Sequence, residues 1–221
     1  MYELFQELII PSFFDTLYMV FFSTVFSVLL GLPLGVFLLI TEEGHILPFK
    51  PLNMVLSSIV NIFRSLPFII LIILLFPLSR IILGTAIGST AAIVPLSIAA
   101  APFVARVVES ALREVPWGMI EAAKSMGASN WQIIFRVLLP ESVSALTLGL
   151  TLTIINIIGY SAMAGALGAG GIGDLAIRYG FQRFRSDVLW ITVIILILMV
   201  QVIQSSGNYI ANKLDKRKTN G

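Results

Sequence analysis

The amino-acid sequence predicts an all-α integral membrane protein that crosses the bilayer five times. Of its 221 residues, 57% are apolar and 12% are charged, about half the charged fraction of a typical soluble domain. Five apolar runs reach the length of about 20 residues that a helix needs to cross the hydrocarbon core. None alternates polar with apolar residues as a membrane β-barrel requires, so we expect a bundle of helices. The predicted spans cover residues 16–40, 58–79, 81–105, 142–173 and 188–212.

Residues 1–15 are predicted to form a separate short helix before the first span. This segment has no Lys or Arg, so it lacks the basic start of a secretory signal peptide. Its apolar residues recur at helical spacing, and Pro11 is expected to end the pattern. We therefore expect the helix to lie along the membrane interface. The residues that carry the pattern are Leu4, Phe5, Leu8 and Ile9.

The first two spans each contain a feature that a plain apolar helix would lack. In the first, Gly31 and Gly35 have the spacing that lets two membrane helices pack closely. In the second, Arg64 is the single charge. Two interpretations of Arg64 stay open: its head group reaches the membrane surface, or it forms an ion pair inside a dimer with Glu109 or Glu121.

The distribution of Lys and Arg predicts which side of the membrane each connection faces. Basic residues crowd the C-terminal tail, residues 213–221, and the positive-inside tendency assigns that tail to the cytoplasm. Five spans then place the N-terminus outside and the long connection at 106–141 inside. Ten of the 14 Lys and Arg residues are cytoplasmic in this arrangement. Three arginines before the last span, Arg178, Arg183 and Arg185, oppose it.

The long cytoplasmic connection has the pattern of two short helices joined at an elbow. Pro116 suits a helix start, and Gly127 can take the left-handed conformation that ends a helix. Ser129 and Gln132 have the spacing of a capping box, and Pro140 is expected to end the second helix. This pattern fits an amphipathic connector on the membrane surface or a docking surface for another protein. The expected apolar positions are Met119, Ile120, Ala123 and Met126, then Ile133, Ile134, Val137 and Leu138.

One spaced motif in this connection resembles a family signature. Residues 121–127 read Glu-Ala-Ala-Lys-Ser-Met-Gly, and nine residues later 137–140 read Val-Leu-Leu-Pro. The pattern resembles the cytoplasmic loop of binding-protein-dependent ABC importer permeases of the type 1 transmembrane domain, with Val where the family has Ile. In that family the first short helix is the coupling helix, which enters a groove on the ATP-binding subunit. The resemblance implies a coupling loop at 116–140, in which the glutamate meets a basic partner and the small alanines allow close approach. Its implied docking residues are Glu121, Ala122, Ala123, Gly127, Leu139 and Pro140.

Three further segments, at 61–68, 159–163 and 168–173, make the chain similar to the methionine uptake permeases over nearly its whole length. This resemblance implies a multi-pass protein of the bacterial inner membrane, embedded in lipid, with residues 16–212 as the permease domain. It also implies a homodimer on two ATP-binding subunits and an external substrate-binding lipoprotein that delivers methionine. ATP and Mg are expected on the partner subunit, with no cofactor in this chain. No nucleic-acid partner is expected.

Five residues are candidates for the pathway or its gate. Asn156, Tyr160, Ser161 and Met163 lie towards the outer end of the fourth span, and Arg64 lies in the second. Asn156 is polar within a helix, so it is expected to face protein or the pathway rather than lipid. Met163 could close a narrow pore against its symmetry mate, because its side chain is soft. Lipid-facing or core positions are the alternative for Tyr160, Ser161 and Met163.

The composition excludes several kinds of chemistry. The chain has no Cys, so disulfides and thiolate catalysis are excluded. It has no phosphate-loop sequence for ATP and no carboxylates along its spans, which ion-coupled transport usually requires. The Gly-x-Gly-x-x-Gly sequence at 168–173 follows a membrane span, so we expect a closely packed re-entry of the chain that serves packing or gating. His45, the one histidine, is expected to be a solvated loop residue, and no catalytic or metal site is predicted.

These observations predict a transport subunit that another protein powers. Movement of the coupling loop would switch the bundle between inward-open and outward-open states. The substrate is expected to be an amino acid, and the resemblance implies methionine. The alternatives are a permease for another amino acid or an organic anion, and a membrane enzyme or scaffold without transport activity.

Overall fold

The computed structural model describes residues 5–215, and all regular structure in that part of the chain is helical. Leu4 of the predicted N-terminal helix lies outside the described residues. So do Lys216, Arg217 and Lys218 of the basic tail. The helices are α1 Ile10–Ile40, α2 Lys50–Ser65, α3 Phe68–Leu83, α4 Ser89–Arg113, α5 Trp117–Ser125, α6 Asn130–Ile133, α7 Val143–Ala164, α8 Gly171–Leu175 and α9 Ser186–Leu214. Wider π-helical turns occur at Phe5–Ile9, Ile134–Leu138, Gly165–Ala169 and Ala176–Phe181, and Leu139–Glu141 forms a single α-helical turn.

Four of these helices, α1, α4, α7 and α9, are long and apolar enough to cross a membrane. A fifth span is possible if α2 and α3 together count as one, although the two helices meet at an angle of 108°. The prediction of a helical bundle with about five spans is therefore confirmed at this level.

The second span differs from the straight helix predicted over 58–79. The helical path breaks at Leu66 and Pro67, both of which have extended ψ angles. The cause is local, because a proline disfavours the α-helical conformation of the residue before it. Gly84, in the left-handed conformation, then ends α3. As a result α4 starts at Ser89, later than the predicted start of the third span at residue 81.

The prediction that Pro11 ends a separate N-terminal helix is wrong. Pro11 lies in the first turn of α1, and helical backbone continues from Phe5 to Ile40. The π-helical turn Phe5–Ile9 widens the backbone just before Pro11, where a regular helix would clash with the proline ring. Buried Ile9 packs against Leu175 and Val188, which ties the start of α1 to α8 and α9.

The closest helix pair in the bundle is α1 with α4. A Cβ atom added to Gly31 would lie 2.6 Å from the carbonyl oxygen of Ala101, and one added to Gly35 would meet the carbonyl oxygen of Ala105. Only glycine permits this approach, so the predicted role of the two glycines in helix packing is confirmed.

Two of the buried clusters lie towards opposite ends of α1. At one end, Val36, Leu39 and Ile40 pack with residues of α4, α5 and α6. At the other, Met19 packs with Ile72 of α3 and with residues of α4 and α7. The candidate functional residues lie around these two regions.

Candidate functional site

The elbow between α5 and α6 is built by local hydrogen bonds. The N–H of Gly127 donates to the carbonyl oxygen of Lys124 at 2.9 Å, and the N–H of Ala128 donates to that of Ala123 at 3.0 Å. This pair of bonds is the Schellman motif, which satisfies the last carbonyls of a helix. It requires a left-handed residue, and Gly127 has a φ of +81°. The predicted elbow is confirmed.

The second leg of the loop starts as predicted and ends later than predicted. Ser129 Oγ accepts from the N–H of Gln132, and Gln132 Oε1 accepts from the N–H of Ser129 at 2.8 Å, which confirms the capping box. The prediction that Pro140 ends this helix is wrong, because the break comes at Ser142. The π-helical turn Ile134–Leu138 widens the backbone just before the proline, where a regular helix would clash with its ring.

One face of the loop is buried against the rest of the chain. In α5 only Ile120 and Ala123 are buried, and both join the cluster formed with the ends of α1 and α4. Two of the four apolar positions predicted for this helix are therefore wrong. Met119 is exposed, and Met126 is 82% exposed. Helix α5 has only nine residues, and Met126 lies beyond its last turn. For the second leg the predicted apolar positions are confirmed, as they are all buried or packed against the same cluster: Ile133, Ile134, Val137 and Leu138.

The opposite face of α5 is exposed and combines apolar and charged groups. Trp117 Nε1 donates to Glu121 Oε1 at 2.8 Å, and the Lys124 ammonium lies 5.3 Å from the centre of the Trp117 ring. Ala122 and Met126 complete this surface. The side chains hold one another in place, which lowers the entropy cost of ordering them against a partner. We refer to these five residues as the α5 surface.

The implied docking residues do not share one surface. Glu121, Ala122 and Gly127 are exposed at or beside the α5 surface, whereas Ala123 is buried beneath it. Leu139 packs against the same buried cluster as Ala123. Pro140 is half-buried and lines a cavity with Ala111 and Ser142. The Leu-Pro part of the motif therefore supports the loop from within.

His45 packs beneath the loop, so the prediction of a solvated residue is wrong. Its ring contacts Trp117 edge-to-face, with ring centres 5.5 Å apart. Burial lowers the pKa of His45, the nearby Lys124 and Arg113 lower it further, and Glu42 opposes them. The next residue, Ile46, is buried in the cluster under α5 and fixes this contact. Sequence reasoning missed it because Trp117 is 72 residues away along the chain.

A network of charged side chains connects α4 with α2 and with the segment after α1 at the loop end of the bundle. Glu109 is only 8% exposed and pairs with Arg106 at 2.6 Å and with Arg113 at 2.8 Å. Arg106 also donates to Asn61 of α2, and Arg113 pairs with Glu42 after α1. Since Glu109 has these two partners and Glu121 is bound by Trp117, neither carboxylate is the partner of Arg64 within the chain.

Of the five pathway candidates, the structure brings two together at the break between α2 and α3. Arg64 and Tyr160 line one cavity of about 210 Å³. The Tyr160 ring stacks on Phe68, with centres 4.0 Å apart and planes 6° from parallel. Ser161 is buried and donates to the carbonyl oxygen of Ile158 in its own helix. Asn156 is half-buried, and Met163 is 46% exposed.

The glycine-rich segment after α7 is a closely packed re-entry, as predicted. Gly168, Gly170 and Gly171 all have positive φ angles, and the N–H of Ile172 donates to Thr16 Oγ1 of α1 at 2.8 Å. A Cβ atom added to Gly173 would meet the backbone of α7. The segment folds back onto α1 and α7 through backbone contacts.

The comparison with known families shows to which class of protein this chain belongs. Residues 27–220 match the family described as binding-protein-dependent transport system inner membrane component. The chain belongs to this family. It is therefore a multi-pass subunit of the inner membrane that serves transport and is not an enzyme, as predicted. The resemblance found in the loop motif is confirmed.

Relatives and solved structures agree with this assignment. The chain is 51% identical over 211 residues to a probable D-methionine transport system permease protein, MetI, of Pasteurella multocida, covering 96% of this chain and 97% of the relative. It is 49% identical over 180 residues to the methionine import system permease protein MetP of Bacillus subtilis, covering 81% of each. A chain of the inward-facing MetNI methionine ABC transporter superposes with a TM-score of 0.93 at 45% identity, covering 95% of this chain and 97% of that one.

Proposed function

We propose that this chain is the membrane permease of an ATP-driven importer that carries methionine into the cytoplasm. The observation that carries the proposal is the identity of about half of all residues to permeases named for methionine transport, over nearly the whole chain. The match in fold to a chain of a methionine ABC transporter supports it. Two copies of the permease would form a twofold dimer and receive methionine from an external binding lipoprotein.

In this proposal, α5 is the coupling helix and the α5 surface docks onto an ATP-binding subunit, one for each permease copy. ATP and Mg bind to that subunit. The docking contact would centre on Trp117 and Met126, with Glu121 facing a basic group. Because Ile120 and Ala123 fasten α5 to the ends of α1 and α4, a displacement of α5 would move both spans together.

The orientation belongs to the same proposal. The loop between α4 and α7 would face the cytoplasm together with the C-terminus, and the N-terminus would face outside. The loop end of the chain carries the paired Arg106 and Arg113 as well as Lys124 and Arg136, which supports this direction. Lipid would surround the outer faces of the spans.

Met163 is proposed to close the pathway in the dimer. It is exposed on the single chain and lies five residues before the re-entrant glycine segment at 168–173, so a second copy can supply the surface that covers it. Replacing it with alanine should let substrate leak through the resting transporter in liposomes. An unchanged leak and an unchanged transport rate would exclude this role.

The docking proposal is tested by reversing one charge of the α5 surface. Glu121→Lys should abolish co-purification of the ATP-binding subunit and lower ATP-dependent methionine uptake in liposomes by about tenfold or more, the size expected for a hot-spot contact. The fold should be retained, because Glu121 is exposed.

Glu43→Lys is the matched control, since Glu43 is an exposed carboxylate that pairs with Lys50 at the surface. This variant should co-purify and transport like the wild type. Retention of the ATP-binding subunit by Glu121→Lys would instead favour a connector that rests on the membrane. Uptake of another solute in preference to methionine would identify a different substrate, and the absence of ATP-dependent uptake of any solute would favour a scaffold.

A further inference from the structure

The cavity at the break between α2 and α3 has the composition of a small amphipathic binding site. Its wall combines one cation, Arg64, with the aromatic rings of Phe63, Phe68, Phe103 and Tyr160. The volume is about 210 Å³, below the range of about 300 Å³ and more that is usual for drug-sized ligands. A ligand the size of an amino acid suits it.

Arg64 differs from its neighbours in having no partner among residues 5–215. Arg106 pairs with Glu109 and Asn61, and Arg113 pairs with Glu109 and Glu42. Arg64 makes no hydrogen bond and no ion pair within the described part of the chain. It lies between two cavities, because it also lines one of about 290 Å³ beside Arg106. An arginine presents a planar fork of donors that matches a carboxylate.

The aromatic part of the wall is held in place before any ligand enters. Tyr160 and Phe68 are stacked in parallel across the break, which connects α7 to the first residue of α3. Phe103 comes from α4 and Phe63 from α2, so four helices converge on the cavity. Aromatic rings contact a thioether sulfur favourably, at about 5 Å, and they also accept a cation over their faces.

We propose that this cavity binds methionine during its passage through the permease. The carboxylate binds Arg64, and the thioether side chain lies among Phe103, Tyr160 and Phe68. The ammonium group faces the carbonyls that follow Ile62 in the last turn of α2, which no N–H of the helix reaches because it ends at Ser65; the carbonyl of Ile62 itself accepts from Ser65 Oγ. The inference rests on the proposed function, because it names where that substrate binds.

The test compares two ligands that differ only at the carboxylate. The permease is purified in detergent with its ATP-binding subunit and without the binding protein, and binding of labelled methionine and of methioninamide is measured. Arg64→Gln should weaken methionine binding by about 10- to 100-fold, the size of a lost charge-assisted hydrogen bond. Methioninamide binding, already weak in the wild type, should change by less than about threefold. Arg64→Lys should restore part of the methionine affinity.

Arg80→Gln is the matched control, because Arg80 lies in the last turn of α3 as Arg64 lies in the last turn of α2. It should change neither affinity. If Arg64→Gln does not assemble, Phe103→Ala serves as the second variant and should weaken methionine relative to alanine by about tenfold. A diazirine analogue of methionine should label this chain at the cavity wall, and unlabelled methionine should suppress the labelling.

Three results would overturn the site. They are labelling elsewhere only, equal loss of both ligands in Arg64→Gln, and unchanged methionine binding in that variant. Uptake in liposomes separates the two proposals. Wild-type methionine uptake together with a normal KM in Arg64→Gln would remove the site and leave the importer, whereas no methionine uptake by the wild-type complex would remove the importer itself.

Discussion

Two glycine turns of this chain have the same φ angle in opposite surroundings. Gly127 and Gly171 both have a φ of +81°. A Cβ atom added to Gly127 would meet nothing within 4 Å, whereas one added to Gly171 would lie 2.7 Å from Thr16 Oγ1 and 2.9 Å from Met19 Cε. The first turn is made by local hydrogen bonds, and the second is imposed by packing against α1. Identical substitutions at the two sites therefore separate backbone strain from crowding.

The largest effect is expected at Gly171. Gly171→Ala should destabilise the protein by about 2–5 kcal/mol, because the strain of a left-handed non-glycine residue adds to overpacking against Thr16 and Met19. The measurement is thermal unfolding of the purified permease complex in detergent. Gly159→Ala is the control within α7, where an added Cβ meets nothing within 4 Å. It should leave the stability unchanged or raise it by up to about 1 kcal/mol. Equal losses at 159 and 171 would show that the re-entry is not closely packed.

A smaller loss of stability is expected at Gly127, where strain acts alone. Gly127→Ala should cost about 1–2 kcal/mol, and Gly127→Asn should cost less, since Asn tolerates this conformation. The same unfolding measurement compares these variants with Gly171→Ala. A bulky Gly127→Leu should also fold, and it should reduce ATP-dependent uptake because the side chain projects beside the α5 surface. Normal uptake in Gly127→Leu, with the ATP-binding subunit bound, would count against docking at this elbow.

The smallest effect is a pH dependence of the loop at His45. Burial lowers its pKa in the folded protein below the ordinary value of 6.5, so the unfolded chain takes up the proton first. The stabilisation is therefore present above pH 6.5 and is lost as the pH falls through the lower folded pKa. The melting temperature should decline over that interval more in the wild type than in His45→Gln, which cannot titrate. Parallel pH curves for the two proteins would show that titration of His45 does not affect the stability.

The same contrast between local and distant interactions explains what the sequence could predict. The capping box of Ser129 and Gln132 and the elbow at Gly127 were predictable, because their partners lie within a few residues of one another. The spans were predictable because a bilayer demands long apolar runs. The packing of Gly31 and Gly35 followed from their spacing.

Other features depended on partners far away in the chain. Ala123, implied as a docking residue, lies on the inner face of α5 because that face packs against α1 and α4. The residues of the contact between His45 and Trp117 are separated in sequence by the whole of α2 to α4. The stack of Tyr160 on Phe68 joins two predicted spans whose relative position no periodicity reveals. The break at Pro67 was visible as a proline, but its size of 108° is a tertiary property.

A single helix, α1, connects the loop end of the molecule to the glycine re-entry. Its 31 residues make a rod about 46 Å long. One end is bonded through Thr16 to Ile172, and the other is embedded through Leu39 and Ile40 in the cluster beneath α5. Pro33 lies inside this helix and removes one of its backbone hydrogen bonds, so a tilt applied at the loop end reaches the glycine re-entry through a helix that can bend near that end.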